Sequence, residues 1–131
     1  QNLAAIAGLG AAIDFIEHIG WQNVQQHHAK LSSYLIEQFS SLDFLKPILG
    51  SFQSNASLFS MNIAGVHSHD VASLLDNKNV AVRAGHHCAQ PLHQYLAVKS
   101  SFRVSFGLYN TEEDVDQLLL ALQSTHQLLG T

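Results

Sequence analysis

Apolar residues at Leu3, Ile6, Leu9, Ile13 and Ile16 recur every three or four positions until Gly20 breaks the run, which predicts a helix over 2–19. A second helix is predicted from about 22 to 41 through Val24, Leu31, Leu35 and Phe39. Beyond Pro47 and Gly50 the period changes. Phe59, Met61 and Ile63 alternate with Ser60 and Asn62, the two-residue repeat of a half-buried strand at 58–63. Ser68 followed by HDVASLLD reads as a short helix capped by the serine, VAVR at 80–83 alternates again, and SFRVSFGL at 101–108 is the cleanest strand. The last helix starts at Thr111, with Glu112, Glu113 and Asp114 in the first turn where the helix dipole favours negative charge. Its expected buried stripe is Val115, Leu118, Leu119, Leu122 and Leu129. No repeat or linker divides the chain, and Pro47 and Pro91 both fall in expected loops. The order predicts one α+β domain over 1–131, a small, largely antiparallel sheet of three to four strands with helices packed on one face.

Strand parity then sorts side chains by face. In 101–108, Phe102, Val104, Phe106 and Leu108 share one side, and Arg103, Ser105 and Gly107 the other. In 80–83, Val80 and Val82 take the core side and leave Ala81 and Arg83 opposite. Arg83 and Arg103 are the only arginines, and they bracket the only cysteine, Cys88. An outward arginine on a strand is ordinarily solvated at the surface. Two of them on one bare face beside a thiol make instead an anion-binding corner, suited to a carboxylate held by the planar guanidinium fork.

Composition narrows the classes further. The formal charge is −4 and the six lysines and arginines are scattered, so the electrostatic footprint of a nucleic-acid binder is missing. The longest apolar stretch, LAAIAGLGAAI at 3–13, is well short of a membrane span. A single cysteine allows no internal disulfide, which suits a reducing, cytoplasmic setting. The segment RAGHHCAQP at 83–91 surrounds that thiol with polar and basic groups, the setting of a reactive rather than a structural cysteine. Nine histidines raise the question of a metal. His67, His69, His86, His87 and His93 lack paired ligand spacing, and adjacent side chains such as His86, His87 and Cys88 diverge, so no metal site is expected. His86 and His87 are expected to shape the cysteine loop, and His18, His27, His28 and His126 to have no chemical role. The start, QNLAAIAGLG, carries neither a signal-peptide pattern nor an initiator methionine, and the chain is expected to be cut from something longer.

RAGHHCAQP at 83–91 and FRVSFGLYNTEEDVDQL at 102–118 closely resemble the C-terminal end of group II cysteine desulfurases, the Suf and Csd type, which are fold-type I pyridoxal phosphate enzymes of aminotransferase class V. The likeness extends over the chain. AIAGLGAAIDFIEHIG at 5–20 resembles the helix leading from that family's large domain into its small one, and LLDNKNVAVRAGHHC resembles the approach to its catalytic loop at 84–91. Group I enzymes carry a longer, serine-rich cysteine loop. The resemblance implies that Cys88 is the nucleophile that takes sulfur from an L-cysteine held on pyridoxal phosphate, leaving alanine and a persulfide, with selenocysteine as a candidate second substrate. It implies that Arg103 clamps the substrate carboxylate, that Arg83 is a second substrate-side arginine, that a SufE-like protein accepts the sulfur for iron-sulfur cluster assembly, and that the full-length enzyme is a homodimer. The large cofactor domain is expected to be absent, because none of Lys30, Lys46, Lys78 and Lys99 has the context of a Schiff-base lysine, so the chain alone is expected to bind no cofactor and to be inactive. Two other readings stay open: a sulfur-carrier or docking domain without chemistry of its own, and a different pyridoxal phosphate lyase or aminotransferase of the same fold.

Overall fold

A computed structural model describes residues 1–52 and 57–130. Five helices and four strands follow in the order α1 (Leu3–Ile19), α2 (Trp21–Phe39), β1 (Leu45–Pro47), β2 (Leu58–Ile63), α3 (Ser68–Asp76), β3 (Arg83–Gly85), α4 (Gln90–Tyr95), β4 (Ser101–Ser105) and α5 (Glu112–Leu129). The strands form one antiparallel sheet in the order β1-β2-β4-β3, with Met61 opposite Phe102 and Arg83 opposite Arg103. This is the expected α+β class.

One face of the sheet carries the core. Phe59, Met61 and Ile63 of β2 and Phe102 and Val104 of β4 are buried with Leu31, Leu35 and Phe39 of α2, Val71 and Leu75 of α3, and Val115, Leu118 and Leu122 of α5. Burial of this apolar area is the main force holding the three helices on the sheet. Thr111 is the N-cap of α5 as its sequence predicts, and its N–H also donates to Asp114 Oδ2 at 3.0 Å in a capping box that the sequence reading did not include. Leu129, expected in the stripe, is exposed, and Ala121 and Thr125 are buried instead. The short helix α3 is capped one residue earlier than expected. His67 is its N-cap, and Ser68 is buried with its hydroxyl donating to Ser100 Oγ at 2.8 Å.

Three elements depart from the sequence reading. The strand expected at 80–83 is instead Arg83–Gly85, because residues 79–82 diverge from β4 across a hollow lined by Val80, Val82, Val104 and Phe106. Parity survives this shift, since Val80 and Val82 pack against the core and Arg83 is exposed. The strand expected at 101–108 ends at Ser105, and Leu108 lies outside it, partly exposed. Neither proline lies in a loop. Pro47 ends the edge strand β1, where a missing donor is tolerated, and Pro91 sits in the first turn of α4, where its missing N–H would have no partner anyway.

Gly20 sits at φ +89°, a conformation open to glycine, and the two helices it joins meet at a 75° bend. Beyond that bend α1 buries none of its residues, and Leu3, Ile6, Leu9, Ile13 and Phe15 are all exposed. Among the described residues no single helix is long and apolar enough to cross a membrane.

Candidate functional site

Ser101, Arg103 and Ser105 alternate with the core residues Phe102 and Val104 of β4 and so project from the sheet face opposite the core. Arg83 is the direct cross-strand partner of Arg103 and Ser60 its partner on the other side, which puts both guanidiniums on this face. Like charges directly opposite each other repel, and a sheet gains nothing by such a pair unless an anion lies between them. Arg103 is half-buried, and its Nε is a buried donor without a partner.

From Gly85, at φ +122°, the chain turns sharply through His86, His87 and Cys88 into α4. His87 and Cys88 both take left-handed backbone, at φ +53° and +58°. Each such residue without a glycine's freedom costs about 1–2 kcal/mol, so contacts around the loop must hold it. The Cys88 thiol is exposed, and Arg83 Nη2 approaches its sulfur at 4.0 Å. A cation therefore stands beside the group that would carry negative charge as a nucleophile.

His87 is anchored inward. Its Nε2 lies 3.0 Å from Ser101 Oγ and 3.2 Å from the Ser101 carbonyl. Burial, and then the Arg103 charge, hold its ring below the usual imidazole range, so it is neutral at neutral pH. His87 and Arg103 also line a hollow of about 300 Å³ whose other walls include Ile48, Leu49, Phe52 and Leu92. His86 behaves differently: it is exposed, its ring meets the His93 ring edge-on at 5.5 Å, and its carbonyl accepts from the Ala89 N–H at 2.8 Å.

The structure thus places Cys88 against Arg83, and Arg83 in register with Arg103, while His87 sits beside Arg103 and His86 stands apart. Two members of the cluster were not picked out from the sequence, Ser101 and, beyond its place among the histidines weighed for a metal, His93. Both are buried and bonded to each other at 3.0 Å. The signal for Ser101 was its parity with Arg103. Among the described residues no three histidine, cysteine or acidic side chains gather as metal ligands.

An aldehyde cofactor needs a lysine to hold it, and none is placed for that here. Lys30 pairs with Glu112 at 2.8 Å, Lys46 donates to the Asp43 carbonyl, Lys78 and Lys99 are exposed, and none of the four lines the hollow beside Arg103. Among the described residues no lysine is placed to hold pyridoxal phosphate.

A small antiparallel α+β domain with a thiol-bearing turn next to paired guanidiniums is the class that fold and site define. The chain belongs to the aminotransferase class-V family, whose model matches residues 1–118. It is 46% identical over 128 residues to a probable cysteine desulfurase of Halalkalibacterium halodurans, and 45% identical to one of Staphylococcus epidermidis, with 98% of this chain and 31% of each relative aligned. Among solved structures it is similar to the cysteine desulfurase CsdA from Escherichia coli, at a TM-score of 0.89 and 32% identity over 98% of this chain and 32% of that one. It is also similar to the cysteine desulfurase of Thermococcus onnurineus, at 0.85 and 32% over 98% and 31%. The chain spans about a third of the length of the relatives it matches.

Proposed function

We propose that this chain is the thiol-bearing domain of a cysteine desulfurase and that Cys88 receives the sulfur. Arg103 holds the carboxylate of an L-cysteine substrate, with Arg83 beside it, and the Cys88 thiolate attacks the substrate sulfur. An S–S bond forms and the substrate S–C bond breaks. The electron pair of that bond stays on the substrate carbon, which takes up a proton and leaves as alanine, while Cys88 carries the persulfide. Withdrawal of that electron pair is the chemistry of pyridoxal phosphate, supplied by the rest of a longer protein, against which the uncovered apolar side chains of α1 would pack. The isolated chain is therefore inactive. A SufE-like protein then takes the sulfur for iron-sulfur cluster assembly, and the full-length protein acts as a cytoplasmic homodimer.

The observation that carries this reading is the exposed Cys88 sulfur 4.0 Å from Arg83, itself in register with Arg103 on the face free of core. The experiment is Cys88→Ala in the full-length, cofactor-loaded protein, read as alanine formed from cysteine. Loss of alanine production supports the proposal. Undiminished production would make the chain part of a different class-V lyase or aminotransferase, in which this thiol is idle.

A further inference from the structure

Cys88 lies between two residues that are each tied to one hydroxyl. On one side the His87 ring reaches Ser101 Oγ; on the other the Ala89 carbonyl is met by His93 Nδ1 at 3.1 Å, and His93 Nε2 lies 3.0 Å from the same Ser101 Oγ. The proton positions follow from the acceptors. A carbonyl only accepts, so the His93 tautomer that fits carries its proton on Nδ1 and leaves Nε2 as an acceptor. The Ser101 hydroxyl must then donate to His93 Nε2, and its lone pairs are free to accept from His87 Nε2–H, which also reaches the Ser101 carbonyl. One continuous chain results: His87 donates to Ser101, Ser101 donates to His93, and His93 donates to Ala89. Ser101 is fully buried and His93 nearly so, which makes these bonds costly to break, because each broken one leaves a polar group without water.

Resting on the reading of Cys88 as the sulfur acceptor, we propose that His93 and Ser101 are positioning residues for that thiol. The backbone supplies the reason. His87 and Cys88 are consecutive left-handed residues, neither of them glycine, and the turn they make is closed by a backbone bond, the Ala89 N–H donating to the His86 carbonyl at 2.8 Å, which leaves strain for side-chain contacts to offset. The hydrogen-bonded chain clamps the residue before Cys88 and the residue after it to β4 and α4, and so holds the turn that aims the sulfur at Arg83 and the outer sheet face. The backbone of Arg103, the substrate clamp, is held independently by the β-ladder on both sides. Loosening the chain therefore displaces the nucleophile and leaves substrate binding in place.

Two experiments separate this proposal from the one it rests on. Nitrogen NMR of the histidine rings in the full-length protein is expected to show His93 protonated on Nδ1 and His87 on Nε2, with both signals shifted in Ser101→Ala; the opposite tautomers, or signals indifferent to that substitution, would overturn the hydrogen-bonded chain whatever the enzyme does. In desulfurase assays, Ser101→Ala, which removes one oxygen, and His93→Leu, which keeps the volume, are each expected to lower kcat about tenfold or more while KM for cysteine stays within about twofold. The double variant is expected to be no worse than the poorer single one, and His93→Gln, whose amide can accept from the Ser101 hydroxyl, to recover part of the loss. Unchanged kcat in folded Ser101→Ala, in a protein that Cys88→Ala still inactivates, would end the positioning role and leave the sulfur-acceptor reading standing. Full activity of Cys88→Ala would end the sulfur-acceptor reading and the positioning role together, leaving the histidine spectra to judge the hydrogen-bonded chain alone.

Discussion

Along β4, Phe102 and Val104 are buried against helices and neighbouring strands, whereas the alternate residues Arg103 and Ser105 face outward with Arg83 beside them. Five residues of one strand thus serve two purposes. The inner face gains its stability from apolar area removed from water, while the outer face carries an unbalanced pair of cations and a donor without a partner, features that cost stability and favour an anion. Stability and chemistry are divided by parity, so substitutions on the two faces of the same strand should have separable effects.

The largest effect is expected on the inner face. Phe102→Ala removes a fully buried ring and should destabilise the fold by about 3–5 kcal/mol, read as the shift in the urea unfolding midpoint. A loss under about 1 kcal/mol would mean that the core does not depend on this face. One position along, Arg103→Gln should change stability by no more than about 1 kcal/mol, yet raise KM for cysteine about tenfold or more in the full-length protein, since a charge-assisted fork is lost. Equal damage to folding from both substitutions would erase the distinction between the faces. Arg83→Gln relieves the repulsion between cross-strand neighbours and should raise the unfolding free energy by a few tenths of a kcal/mol at low salt, the gain fading as salt is added.

The smallest effect concerns pH. Burial and the Arg103 charge lower the His87 pKa in the fold, so the unfolded chain binds the proton more readily than the native one. Stability from this group is complete above the ordinary imidazole value near 6.5 and declines as pH falls below it towards the lowered folded value. Replacing His87 with Gln should flatten the stability profile between neutral and mildly acidic pH, as followed by thermal unfolding. A profile unchanged by the substitution would show that the ring is not shielded as its surroundings imply.

Much of this division could be read before any coordinates. The two-residue period at 58–63 matches β2 end to end, and the parity of Arg83 and Arg103 survived even though β3 begins where the expected strand stopped. Thr111 with Asp114 announced the start of α5. What stayed hidden is short or depends on distant partners. β1 has three residues and ends in proline, too brief for a period to register, and α4 is a single short helix entered through Pro91, read as loop. The apolar stripe of α1 fixed its helical form but could not tell what, if anything, covers it. The union of His87, Ser101 and His93 arises because α4 folds back onto the start of β4, and spacing along the chain does not record that approach.

Where the sulfur goes is the most direct question to ask of this domain. The full-length protein, incubated with L-cysteine, alkylated and digested, should yield the peptide bearing Cys88 heavier by one sulfur atom, and pretreatment with a thiol-blocking reagent should abolish that species. The extra sulfur appearing on another residue, or alanine being released with the Cys88 peptide unmodified throughout, would contradict the assignment of Cys88 as the acceptor.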